Sequence, residues 1–158
     1  MKIRYEQLTP RDALETYCDW IMAQAAQYDT LPTFSWYRLF YPLRVLLLGS
    51  KLLGRKDYAE TAFHHMERYL GEQLPNGAFT AYYRNQPTAK MTQEELEELF
   101  RTGHINLADN GSNVHGLILG AAAADGERKE RYIAAARRWL DGWVPVWSLP
   151  NGAYGNGI

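Results

Sequence analysis

Cysteine is almost absent from this chain. Cys18 is the only one, so no internal disulfide can hold the fold. An excess of either charge is absent too: Lys and Arg number 17, Asp and Glu 18, a net charge of −1. That excludes the basic surface of a nucleic-acid binder and any strong pull toward an anionic membrane. The opening residues, Met1 to Glu6, lack the apolar core of a signal peptide. The longest apolar run, Leu39 to Leu53, is broken by Pro42, Arg44 and Lys51 and is no membrane span. A cytoplasmic location is the resulting expectation. No stretch alternates with period two for long enough to argue a strand. Gly-rich phosphate loops, nucleophile elbows and Cys–His pairings are missing, and no cofactor is expected.

What the chain does contain is a repeat. Leu74-Pro75-Asn76-Gly77-Ala78-Phe79 returns as Leu149-Pro150-Asn151-Gly152-Ala153-Tyr154. Pro fixes φ and Asn-Gly accepts the left-handed backbone of a sharp reversal, so each copy is a turn. The preceding stretches match as well, Tyr58 to Leu70 with Tyr132 to Val144. Ahead of each lies an apolar helix ending in Gly and charged residues, Leu46 to Arg55 and Leu117 to Arg128. The unit is apolar helix, polar turn, amphipathic helix, Pro-Asn-Gly loop. It recurs at about 75 residues because one copy carries an inserted helix.

In order, residues 1–9 form a lead-in, and Thr9-Pro10 reads as an N-cap with Pro at the first helical position. A helix over 10–28 puts Leu14, Tyr17, Cys18, Ile21, Ala25 and Tyr28 on one face, with Cys18 buried and inert. A second helix, 35–53, is apolar nearly all round and is expected to be enclosed by protein. A third opens at Lys56-Asp57, and residues 71–84 are loop. Thr92 and Glu95 make a capping box for a short acidic helix to Arg101. Gly116 begins a second apolar stretch ending at Asp125-Gly126, and an amphipathic helix spans 127–143. Amphipathic helices alternating with apolar ones indicate an all-α fold of helical hairpins, outer helices coating inner ones, as in an α/α toroid or partial (α/α)6 barrel. About three hairpins are countable where a closed ring needs more. The bare inner edge that this leaves predicts a homo-oligomer, such as a two-fold dimer.

Residues 107–133 resemble the six-hairpin glycosidases, and among them the unsaturated glucuronyl and rhamnogalacturonyl hydrolases. The likeness rests on Leu107-Ala108-Asp109-Asn110, then Asn113-Val114, the apolar Leu117-Ile118-Leu119, the Asp125-Gly126-Glu127 turn and Tyr132-Ile133-Ala134. Leu46 to Leu70 resembles an earlier hairpin of that family. The resemblance implies a carbohydrate-active protein acting on an oligosaccharide or a uronic-acid-containing small molecule. Asp109 would be the general acid/base that protonates the C4–C5 double bond and activates water. Where some members carry a second Asp, this chain has Phe34-Ser35-Trp36-Tyr37, with Asp29 the nearest acid.

Read from the residues alone, Asp109 is either that acid or a helix cap. Asn113 and His115 are candidate hydroxyl ligands, or partners of loop backbone. Tyr82, Tyr83 and Trp147 are candidate sugar platforms, while Phe79 and Tyr154 are expected to pack on helix ends. His104, Asp109 and His115 are spaced by five and six residues, which fits no metal-ligand pattern, so no metal is expected. Adjacent His64 and His65 point to different helix faces. Glu94, Glu95, Glu97 and Glu98 form a solvated face, and Trp20, Trp36, Trp139 and Trp143 are assigned to the core. The rival reading is a non-catalytic hairpin module that binds another protein or its own copy.

Overall fold

A computed structural model describes residues 8–83 and 92–154. Most of the lead-in, Arg84 of the 71–84 loop and the chain's last four residues lie outside them. The described residues form six α-helices, with no strand among them beyond two isolated bridges. They are α1 (Pro10–Ala25), α2 (Trp36–Leu53), α3 (Lys56–Leu70), α4 (Gln93–Arg101), α5 (Leu107–Ala123) and α6 (Gly126–Arg138).

Local chemistry sets the boundaries. Thr9 accepts from the Asp12 amide while Asp12 Oδ2 accepts from the Thr9 amide at 3.0 Å, so a reciprocal box opens α1 with Pro10 at its first position. α1 tightens into a 3₁₀ turn over Ala26–Asp29. Thr92 and Glu95 make the same reciprocal bonds ahead of α4. Pro42 lies within α2 without ending it. α6 gives way to a π turn, Trp139–Trp143, at the place where the Asn76 carbonyl abuts Gly142.

Cross-contacts fix the directions. Arg11 reaches the Leu52 carbonyl and Cys18 lies against Val45, so α1 and α2 are antiparallel. Arg44 meets Ser112 near the start of α5, and farther along Leu48 and Lys51 line one cleft with Leu119 and Ala122, so α2 and α5 run parallel. Tyr58 donates to Asp19, and Arg68 pairs with Asp29, placing α3 parallel to α1. Arg128 and Arg131 pair with Glu67, and Gln73 donates to the Ala135 carbonyl, placing α6 parallel to α3. The result is two layers, α2 and α5 in one and α1, α3 and α6 in the other.

The core lies between those layers. Trp36, Phe40, Tyr58, Tyr69, Phe79 and Tyr132 are wholly enclosed; burial of each aromatic side chain is worth about 1.5–3 kcal/mol against exposure. Close approach of α5 depends on small residues. A Cβ on Gly116 would stand 2.5 Å from Phe40, and one on Gly120 would stand 2.7 Å from the Met66 sulfur. Seven α2 residues are buried against three in α1, while α3 buries six.

Three expectations are corrected. α2 is not enclosed all round: Tyr37, Tyr41, Leu48 and Leu52 are exposed along one side. Trp20 is 54% exposed, at the rim of a cleft between α1 and the start of α2 rather than in the core. Tyr154 is exposed where its counterpart Phe79 is buried against Tyr69, at 4.1 Å. Trp36, Trp139 and Trp143 are core, Cys18 is buried with its thiol pushed up by that burial, His65 is buried beside exposed His64, and the four glutamates of α4 are solvated.

Candidate functional site

The N-terminal ends of α2 and α5 open side by side, tied by the segment after the first Pro-Asn-Gly turn. The Trp36 amide donates to the Ala81 carbonyl at 3.0 Å, the Tyr83 amide to Phe34 at 2.8 Å, and the Ala81 amide to His104. This backbone clasp holds the two helix mouths in register.

α5 begins earlier than its apolar stretch, because Asn106 caps it. Asn106 Oδ1 accepts from the Asp109 amide at 2.7 Å, and its Nδ2 donates to Asp109 Oδ2 at 3.0 Å. Asp109 is therefore not the cap. It is the third helical residue, half-buried, with its carboxylate oriented by the cap. Beneath it, Tyr69 donates to Asn110 Oδ1 at 3.2 Å, and Asn110 Nδ2 donates to the Asn106 carbonyl at 2.6 Å. Burial drives the Tyr69 phenol well up, so it stays protonated and serves as a fixed donor.

The polar surface of the mouth comes from α2. Tyr37 and Tyr41, one turn apart and exposed, meet edge to face at 5.0 Å. Contact with the Tyr41 hydroxyl raises the Tyr37 phenol, and the Ser112 hydroxyl lowers that of Tyr41. The charge of Asp109 acts on both tyrosines. Arg44 lies 4.8 Å over the Tyr41 ring and donates to the Ser112 carbonyl and, at 2.9 Å, to its hydroxyl. Its buried Nε has no hydrogen-bond partner. An exposed aromatic pair, a carboxylate, a hydroxyl and a guanidinium thus share one mouth. That combination can stack on a ring, bind hydroxyls, carry a proton and bind an anion.

Other candidates fall at different distances from this cluster. His115 is exposed one turn beyond Ser112 on α5. Tyr82 is exposed on the clasp, with the His104 ring 5.6 Å away. Tyr83 is half-buried, stacked on Phe34 at 4.9 Å with the Arg68 guanidinium 4.2 Å over its ring. Asn113 is wholly buried, with its amide facing the Tyr69 hydroxyl. Trp147 is buried against Trp143. The exposed residues beside Asp109 are Tyr37 and Tyr41, which the sequence reading missed. Their i, i+4 spacing at the start of an inner helix was the available signal.

The donor atoms of Asp29, His64 and His65 gather within 4.8 Å of one another. Arg68 already stands there, 2.6 Å from Asp29 Oδ1 and 3.5 Å from His65 Nδ1. A guanidinium occupies the place a metal ion would take, so the cluster reads as an ion-pair latch between the end of α1 and α3. Comparison with family models, with curated proteins and with solved structures finds no match to this chain.

Proposed function

We propose that the chain is an arc of an α/α toroid that binds an unsaturated uronic-acid sugar at the mouth of α2 and α5 and hydrates it. The observation that carries the reading is the geometry of the mouth: Asp109 is held by Asn106 in the first turn of α5, and one turn on Ser112 is bonded by Arg44, whose guanidinium lies 4.8 Å over the Tyr41 ring. The tyrosine faces stack on the sugar ring, the Ser112 hydroxyl and His115 meet its hydroxyls, and Arg44 draws the uronate. The Asp109 carboxyl gives its proton to C4 of the C4–C5 double bond. Water adds its oxygen at C5, and the water's proton returns to Asp109. The hemiketal so formed opens at C5, and the C1 hemiacetal left behind sheds the glycosidic alcohol.

The test is loss of the double bond's ultraviolet absorbance when an unsaturated glucuronyl disaccharide is incubated with the protein. The wild type turns it over and Asp109→Asn does not, while the melting temperature of the variant stays near that of the wild type. Asn at this position keeps the amide that Asn106 accepts from, so the helix start survives and the acid does not. An inert wild type, or a fully active Asp109→Asn protein, overturns the proposal. A second reading, a module that binds its own copy, is favoured by a different observation: large apolar side chains exposed at both edges of the layered array.

A further inference from the structure

The two Leu-Pro-Asn-Gly-Ala turns are built alike and surrounded differently. In the first, the Leu74 amide donates to Ala78 at 2.8 Å, Gly77 to Leu74 at 2.9 Å, and Ala78 to Asn76 Oδ1 at 3.1 Å. In the second, Leu149 donates to Ala153 at 2.8 Å, Gly152 to Leu149 at 2.9 Å, and Ala153 to Asn151 Oδ1 at 3.0 Å. The first turn is seated under the end of α6: Leu74 is 4% exposed and Phe79 is fully buried. Among the described residues nothing seats the second: Leu149 is 46% and Tyr154 57% exposed, and Leu140 and Val146, close by in sequence, are exposed as well.

The seated copy shows what covers such a turn. Each outer helix end is held by a side chain from the next outer helix. His64 of α3 holds Asp29 after α1, at 2.9 Å, and Arg138 of α6 holds Gln73 after α3, at 2.9 Å through its Nε. His64 and Arg138 stand ten and eleven residues before Leu74 and Leu149. α1 is also followed by Leu-Pro, at Leu31-Pro32, and the residue eleven before Leu31 is Trp20. Trp20 is 54% exposed and stacked with Tyr17 at 5.7 Å. A cleft of about 130 Å³, lined by Trp20, Gln24, Tyr28, Arg38 and Pro42 among others, opens beside it. α1 therefore carries a large aromatic residue in the latch position, sharing a cleft with Arg38 and Pro42 of α2 and open to solvent over about half its surface. The internal latches join polar to polar. The two bare ends are both apolar: Tyr17 and Trp20 at one, Leu140, Val146 and Leu149 at the other.

We infer that the bare turn after α6 is the docking site for α1 of a second copy of this chain, Trp20 of that copy taking the place that Arg138 takes on the first turn. The contact is head to tail. It joins two different surfaces, so it extends or closes the outer layer across copies.

Sedimentation velocity on wild-type protein and two variants decides the matter. The wild type self-associates at micromolar concentrations. Trp20→Glu and Leu149→Glu, each removing one of the two surfaces, are monomeric alone. Mixed, they form a dimer and nothing larger, because the Leu149→Glu chain keeps its Trp20 face and the Trp20→Glu chain keeps its turn. A monomeric wild type, or a mixture that stays monomeric, overturns the inference. Circular dichroism confirms that each variant is folded; should one lose helicity, Tyr17→Glu or Leu140→Glu replaces it on the same surface.

Discussion

Alanine at the two equivalent turn glycines separates the cost of the turn from the cost of its docking. Gly77 has φ +90° and Gly152 has φ +80°, so a Cβ meets the same left-handed penalty at both, about 1 kcal/mol. The surroundings differ. A Cβ on Gly77 would lie 2.1 Å from the Arg138 carbonyl oxygen and 2.7 Å from its carbon, whereas nothing lies within 4 Å of one on Gly152. The obstacle is helix backbone, so the end of α6 must lift off the turn. The Gln73 bonds to Gly77 O, Ala135 O and Arg138 then weaken together. At about 1 kcal/mol per bond, the extra cost is about 2–4 kcal/mol. At 2–4 °C per kcal/mol for a domain near this size, Gly152→Ala lowers the melting temperature by about 2–4 °C and Gly77→Ala by about 6–20 °C. Thermal unfolding followed by circular dichroism, with both changes made in the Trp20→Glu background so that single copies are compared, reads the difference. Equal shifts would refute the seating of the first turn under α6.

Three further outcomes follow from particular contacts. Gly116→Ala forces a methyl to 2.5 Å from the wholly buried Phe40 ring and costs about 1–3 kcal/mol; Gly111→Ala, whose Cβ meets Trp139 at 3.4 Å, is neutral or stabilising by up to about 1 kcal/mol, both by denaturant unfolding. Burial pushes the His65 imidazole down to about 4 against an ordinary value of 6.5, so the unfolded chain binds the extra proton. Stability therefore falls as pH drops from about 6.5 toward about 4, and melting curves of His65→Gln lose that slope. Burial raises the Asp29 carboxyl, but the His64 bond and the charges of His64, His65 and Arg68 hold it below its ordinary value of 3.8, so it adds a loss only below about pH 4, and Asp29→Asn removes that second loss.

The repeat was legible because its turn chemistry is local. Pro-Asn-Gly closes the same three hydrogen bonds wherever it stands, and Thr9 and Thr92 box their helices from within four residues. The inner and outer helices were legible from apolar content. What periodicity could not supply was which side of an apolar helix is left bare. Tyr37 and Tyr41 lie on a helix that read as apolar nearly all round, and only the parallel packing of α5 on α2 separates them from Trp36 and Phe40. The start of α5 was obscured because Asn106 to Asn113 is polar, and polar residues there bury into a network rather than mark a loop. Tyr154 followed its repeat partner in sequence but not in burial, since burial depends on a neighbour that the second copy lacks among the described residues.

Calorimetric titration with an unsaturated glucuronyl disaccharide, using Asp109→Asn to prevent turnover, tests most directly whether the Asp109 mouth receives a uronate. The expected result is saturable binding of one ligand per chain, weakened at least tenfold by Tyr41→Ala and by Arg44→Lys, each folded by circular dichroism; tenfold corresponds to about 1.4 kcal/mol. Absence of binding, or binding that both substitutions leave unchanged, contradicts it.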